Sequence, residues 1–119
     1  MAYQMPLRGE VWTVNLDPAQ GHEQAKTRPC VVVSNNMVNT KLGISIVVPL
    51  TGTAYYLKSG KLSPAMVEIL PPEGGTSKPS YSMAHQVRTV SHERFAQQLG
   101  TLSSATLNKV VFSVQDIIT

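Results

Sequence analysis

The sequence predicts a mainly β fold, a small barrel or bent sheet of about six or seven strands with one C-terminal helix. Three observations carry that prediction. Short apolar or alternating runs recur between Val11 and Leu99, broken by turns rich in Pro and Gly. Only the C-terminus carries an apolar repeat at helical spacing. A chain of 119 residues has the length of one domain, spanning 1–119, and can bury a core without disulfide or metal staples.

The first strand is expected over Val11–Leu16, where Val11, Thr13 and Asn15 alternate with Trp12, Val14 and Leu16. Asp17-Pro18 ends it, because proline cannot donate to the ladder. A second strand, Cys30–Val33, is apolar on both sides and so central, with Pro29 tolerated at its first position. Ser34-Asn35-Asn36 offers capping side chains for a short helix to about Leu42, closed by Gly43. Strands three and four follow at Ile44–Pro49 and roughly Pro64–Leu70, with a loop over residues 71–79. Ser80–Ala84 and Gln86–Val90 form one long strand or two with a bend near His85. Ser91 to Arg94 turns the chain into a last strand, Phe95–Leu99. Ser103 can cap the final helix, whose Leu107, Val110, Val111, Val114, Ile117 and Ile118 make one apolar stripe. Thr106 stands where a capping box wants Glu or Gln, so that motif is incomplete.

Composition excludes some function classes. The apolar share of 42% and charged share of 14% suit a soluble domain, and no run of apolar residues is long enough to span a membrane. Met1 to Pro6 lacks the basic and apolar blocks of a secretory signal. The single Cys30 forbids an intramolecular disulfide or a thiolate metal cage and reads as a buried structural thiol, all of which fits a cytoplasmic protein. A net charge of +3 leans towards polyanions without demanding them, so a nucleic-acid reading needs a local site.

One stretch supplies such a site. Asp17 to Pro29 is polar and far longer than a hairpin needs, and such connections are commonly binding loops. It brings His22, Glu23, Lys26 and Arg28 within a short span. Cleaving RNA without a metal needs a base for the 2′-hydroxyl, an acid for the departing 5′-oxygen and donors for the charge on phosphorus. His22 and Glu23 can move protons, and the planar fork of Arg28 matches phosphate oxygens. Each residue also has a plainer reading. Glu23 can pair with Lys26 or Arg28, Thr51 can satisfy its own turn, and His85 amid apolar neighbours can be a structural histidine.

The ordered motifs decide between these readings. Arg8-Gly9-Glu10-Val11-Trp12, Leu16-Asp17-Pro18, Gly21-His22-Glu23-Gln24 and Arg28-Pro29 are followed by Val31-Val32-Val33-Ser34, Asn39 and Val47-Val48-Pro49-Leu50-Thr51. Ser80-Tyr81, Gln86-Val87-Arg88-Thr89-Val90 and Leu99-Gly100-Thr101-Leu102-Ser103 complete the set. This series resembles the MazF/PemK family, the ribonuclease toxins of bacterial toxin–antitoxin pairs. The resemblance implies an SH3-like, CcdB-like barrel, a homodimer, no cofactor and no metal, and sequence-specific cleavage of single-stranded RNA. It implies 2′,3′-cyclic or 3′-phosphate and 5′-hydroxyl ends, and an antitoxin whose acidic tail lies over the RNA groove. Carried over by position, Arg28 matches the catalytic arginine and Thr51 the threonine after the third strand, with His22 as a further catalytic position. Glu23, Gln24, Lys26, His85 and Gln86 are then expected to contact substrate. Some members carry an arginine and an aspartate where this chain has Met83 and His85, so the base is His85 or lies elsewhere in the site. Two other readings stay open at this point. One is a non-enzymatic, CcdB-like gyrase binder contacting through Gln115 to Thr119. The other is a family member that binds RNA or antitoxin without cutting.

Overall fold

The computed structural model describes residues 5–23 and 26–119. Seven strands form one antiparallel, half-barrel sheet: β1 (Glu10–Asn15), β2 (Thr27–Val32), β3 (Ile44–Thr51), β4 (Glu68–Ile69), β5 (Ser80–Ser82), β6 (Arg88–Ser91) and β7 (Phe95–Thr101). Their order is β4-β5-β3-β2-β1-β7, with β6 pairing the other end of β3. Helix α1 (Asn36–Lys41) links β2 to β3, and α2 (Ser104–Ile118) closes the chain. Among the described residues, no helix is long and apolar enough to cross a membrane.

Alternation along the strands divides the buried residues between two faces. Val11, Val31, Val48, Leu50 and Ile69 pack with Leu102, Leu107 and Val110 in a core beneath α2. Trp12, Val14, Leu16, Cys30, Val32, Val47, Val90 and Phe95 make a second core on the opposite face. Trp12 meets Phe95 edge-on with ring centroids 5.8 Å apart, a favoured aromatic geometry.

Several boundaries differ from the sequence reading. β2 begins at Thr27, so Pro29 is its third residue rather than its first. It is tolerated because pairing with β3 begins only at Cys30, opposite Pro49, leaving β2 an edge on that side at Pro29. The fourth strand shrinks to Glu68–Ile69. The residues before it still follow the β5 side, with Ser82 N–H donating to Val67 O at 3.0 Å and Ala84 N–H to Ala65 O at 2.9 Å. Val67 N–H, however, donates to the Ser82 hydroxyl at 3.1 Å and Met66 N–H closes a turn on Ser63 O, so the regular ladder stops there. The bend at His85 is a 3₁₀ turn, Ala84–Gln86, which separates β5 from β6. His85 itself is exposed. The satisfied buried histidine is His92, whose Nε2 lies 2.9 Å from Ser45 Oγ.

The caps follow the sequence more closely. Asn35 accepts from the Val38 N–H at the start of α1, and Gly43 follows its end at φ +68°. Ser103 caps α2 by accepting from the Thr106 N–H at 3.2 Å. The carboxylate missing from position 106 comes from Glu73 in a 3₁₀ turn, Glu73–Gly75. Its oxygens accept from the Ser103 N–H at 2.8 Å and from Thr106 Oγ1 at 3.0 Å. That turn lies backbone against backbone on β7: a Cβ on Gly75 would stand 1.9 Å from the Leu99 carbonyl oxygen. Only glycine permits the approach that carries Glu73 to the helix.

Candidate functional site: a row across the sheet

The register aligns residues of successive strands in one row. Glu68 pairs with Tyr81, Tyr81 with Thr51, Arg28 with Val14, and Val14 with Phe95. Between β2 and β3, Cys30 faces Pro49 and Val32 faces Val47. Arg28 and Thr51 each lie two residues beyond the last of these pairs, Cys30–Pro49, where the β2–β3 ladder has ended. Side chains alternate along a strand, so Arg28 and Thr51 share with Cys30 and Pro49 the face away from α2, and both are half-buried. Val47 pairs with Arg88, which brings a second guanidinium to that face.

Cys30 lies between these two cations. Burial pushes its thiol up to about 12, while Arg88 and Arg28 pull in the opposite direction without overcoming it. The thiol is therefore the protonated structural group the sequence predicts.

The β1–β2 loop is tied down at its root. Arg94 Nη1 donates to the Asn15 carbonyl at 3.1 Å and also to that of Asp17, while Arg88 Nη1 donates to Leu16 O at 3.3 Å. Three consecutive carbonyls are thus held by two guanidinium groups. From the other side, Leu16 N–H donates to Lys26 O at 2.9 Å, and Lys26 N–H donates to Asp17 Oδ1 at 2.7 Å. The Asp17 carboxylate makes that second bond possible while Lys26 turns at φ +65°, directly before Arg28 enters the sheet.

The tip of the loop is oriented from the 3₁₀ turn that precedes β6. Gln86 Nε2 donates to the His22 carbonyl at 3.1 Å, placing the loop beside the turn that carries His85. His22 and Glu23 are exposed. Glu23 Oε1 accepts from the Gln20 N–H at 2.7 Å, a local turn bond. Gln24 lies outside the described residues. Thr51 fulfils the plainer reading in part, since its Oγ1 accepts from the Thr53 N–H at 3.2 Å. Its hydroxyl proton is not used in that bond and can be donated elsewhere.

The structure therefore sets Arg28 and Thr51 on one face at the ends of β2 and β3, and links His22 to the turn of His85 and Gln86 through the loop tether. Arg88 and Arg94 are the residues whose work the sequence reading missed. Arg88 was visible in the Gln86-Val87-Arg88 motif, but only the β3–β6 register shows that it faces Cys30's side of the sheet. Arg94 gave no signal, because its carbonyl partners are more than seventy positions away in sequence.

Electrostatics favour an anion. Residues 24–67 contain Lys26, Arg28, Lys41, Lys58 and Lys61 and no Asp or Glu. Among the described residues, no group of three His, Cys, Asp or Glu side chains could hold a metal ion.

Comparison with known proteins gives a consistent result. Residues 7–118 match the family described as PemK-like, MazF-like toxin of type II toxin–antitoxin system. Endoribonuclease MazF9 of Mycobacterium tuberculosis is 37% identical over 108 residues, covering 87% of each chain. The crystal structure of MazF from Deinococcus radiodurans superposes with a TM-score of 0.80 at 27% identity, over 97% of both chains. An endoribonuclease in complex with its cognate antitoxin, from a mycobacterial species, gives a TM-score of 0.75 at 25% identity over 95% of this chain and 94% of its own.

Proposed function

We propose the chemistry of this row from one premise: the chain belongs to the PemK-like, MazF-like toxin family of type II toxin–antitoxin systems and is a sequence-specific endoribonuclease. In our reading it cuts single-stranded RNA by in-line attack of a 2′-hydroxyl on the adjacent phosphorus. The P–O bond to the 5′-oxygen breaks, leaving a 2′,3′-cyclic phosphate and a 5′-hydroxyl. Arg28 stabilises the charge on the phosphoryl oxygens, because its fork stays protonated and fits two of them. Thr51 donates to the same phosphate from the neighbouring strand. The observation that carries this reading is that both stand on one face, at the ends of the paired strands β2 and β3, beside a loop held at its root.

Protons are assigned to the imidazoles. His22, on the loop tip, and His85, on the turn whose Gln86 holds that tip, are the residues we propose for 2′-hydroxyl deprotonation and 5′-oxygen protonation. Glu23, Gln24, Lys26 and Gln86 line the path of the substrate in this scheme. The scheme uses no cofactor and no metal.

The same reading gives the chain one functional domain, a cytoplasmic site of action and a cognate antitoxin whose acidic segment competes for the cationic face. It also includes a homodimer, supported by apolar surface on α2, where Phe112 and Ile118 are 67% and 70% exposed. The names of the relatives, both endoribonucleases, favour an enzyme over a gyrase-binding protein.

The test is direct. Purified protein is incubated with a long unstructured RNA in excess EDTA, and the cut sites and end groups are determined. Cuts at one short motif with 5′-hydroxyl ends are expected, falling at least about 10²-fold in Arg28→Ala. An undiminished Arg28→Ala, or cutting that stops in EDTA, would remove this mechanism.

A further inference from the structure

The row does not end at Thr51. Its next member, Tyr81, is buried and its hydroxyl donates to Glu68 Oε2 at 3.3 Å. Burial first, then the neighbouring Tyr56 and Glu68, raise the Tyr81 pKa, so that hydroxyl stays protonated. Tyr56 is near enough to contribute to that shift, and its cross-strand partner Leu62 packs on the cluster that contains Tyr81. Tyr56 belongs to a hairpin that leaves β3 immediately after Thr51, pairing with Leu62 across its ladder.

That hairpin is preformed. Leu57 N–H donates to Lys61 O at 2.7 Å and Gly60 N–H to Leu57 O at 2.9 Å, so Lys58-Ser59-Gly60 makes a three-residue turn. Gly60 at φ +89° supplies the left-handed residue such a turn requires. Ser63 N–H donates to Tyr55 O at 2.8 Å, continuing the ladder, and Ala54 and Leu62 seat its base on Met66, Tyr81 and Met83. Two tyrosines stand exposed on this frame, Tyr55 at 56% and Tyr56 at 64%. Successive residues of an extended strand face opposite sides. Tyr56 shares the side of the hairpin that carries Leu62, which packs towards Tyr81, the partner of Thr51, and Tyr55 takes the opposite side.

We propose that Tyr56 is a base-stacking platform for the nucleotide next to the scissile phosphate on the Thr51 side, with Lys58 and Lys61 attracting the backbone that continues past it. The proposal rests on the reading of this chain as an RNA-cutting enzyme and adds to it a subsite that selects and orients one flanking base. Three features fit single-stranded RNA as the occupant. An exposed ring on a preformed hairpin offers a face on which any base can stack at little ordering cost. Two ammonium groups lie within five residues of it, and residues 24–67, which contain it, have no carboxylate. The platform is continuous with Thr51 through the Tyr81 pairing. Glu68, the nearest acid in the row, is already engaged by Tyr81.

The experiment compares wild type with Tyr56→Ala, Tyr56→Phe and Tyr55→Ala. Affinity for a fully 2′-O-methylated oligoribonucleotide carrying the mapped cleavage motif is measured by fluorescence anisotropy, and cleavage of the unmodified RNA is measured in parallel. The same oligonucleotide is also made with single abasic positions either side of the cut. Tyr56→Ala is expected to weaken binding about tenfold and to raise KM by a similar factor with kcat near that of wild type. Tyr56→Phe, which keeps the ring, should bind within about threefold of wild type, and Tyr55→Ala within about twofold. One abasic position should cost wild type about as much as Tyr56→Ala does, and cost the variant nothing further. Equal affinity in wild type and Tyr56→Ala, or equal losses from both tyrosines, would overturn the platform while leaving the enzyme intact. A wild type that neither binds nor cuts RNA would overturn both. Melting temperatures close to wild type are expected throughout, since both rings are exposed.

Discussion

The two faces of this sheet are made from alternate residues of the same strands, yet they carry opposite chemistry. Beneath α2, Val31, Val48, Leu50 and Ile69 are closed off from water by Leu102, Leu107 and Val110. On the other face the apolar set Val14, Cys30, Val32 and Val47 is bordered by Arg28, Thr51 and Arg88. Both faces stabilise through burial, and the second also holds cations at the edge of its hydrophobic floor. A charge in such a place is costly unless its hydrogen bonds are made, and the structure uses Arg88 for the Leu16 carbonyl to make them. The difference teaches where function was put: at the strand ends, where the core stops and the loops begin.

The sharpest way to break the comparison is a pair of substitutions, one on each face. Ile69→Ala should cost about 2–5 kcal/mol of stability, read by urea unfolding, with little change in activity per folded molecule. Thr51→Ala should do the reverse, lowering kcat about 10²-fold and leaving the unfolding midpoint close to wild type. Equal effects of both on stability would mean that the two faces are not separate in role.

A smaller effect is expected at the loop root. Arg94→Ala frees the carbonyls of Asn15 and Asp17, and the chain can then carry Lys26 and Arg28 away from their places. Activity should fall about tenfold, and amide hydrogen exchange should accelerate at residues 16–23 while β3 stays protected. Arg94→Lys should restore part of it, because both bonds leave the single nitrogen Nη1 and an ammonium also carries more than one N–H.

Smaller again is the acid response at α2. Burial works against ionisation of Glu73, but hydrogen bonds from Ser103 and Thr106 and the charge of Lys109 together hold its carboxyl below the ordinary value. A group with a lowered folded pKa stabilises at pH above its unfolded value, and that contribution disappears as pH falls through the folded one. Thermal melts taken from neutral pH down through the carboxylate range should lose stability in wild type. Glu73→Gln should start lower at neutral pH and slope less. The smallest signal concerns Cys30. With its thiol near 12, iodoacetamide at pH 8 should label it only after unfolding.

Much of the fold could be read from particular residues. The alternation from Val11 to Leu16 placed Trp12, Val14 and Leu16 on one face, as found. Ser103, Asn35 and Gly43 marked their caps because capping depends on side chains a few positions away. The ordered motifs around Arg28, Thr51 and Gln86 carried the family, and with it the enzyme class.

Tertiary structure decided what depends on distant partners. Nothing local said that β4 would keep only Glu68–Ile69, or that Glu73 would complete the cap of a helix thirty residues later. Nor did it say that Arg94 would hold the Asn15 and Asp17 carbonyls, or that the hairpin of Tyr56 would seat its base on Tyr81. Periodicity, turn residues and caps act over a few positions, so the order of residues determines them by itself. A row across a sheet is set by register, and register is settled only when every strand has chosen the face that it buries.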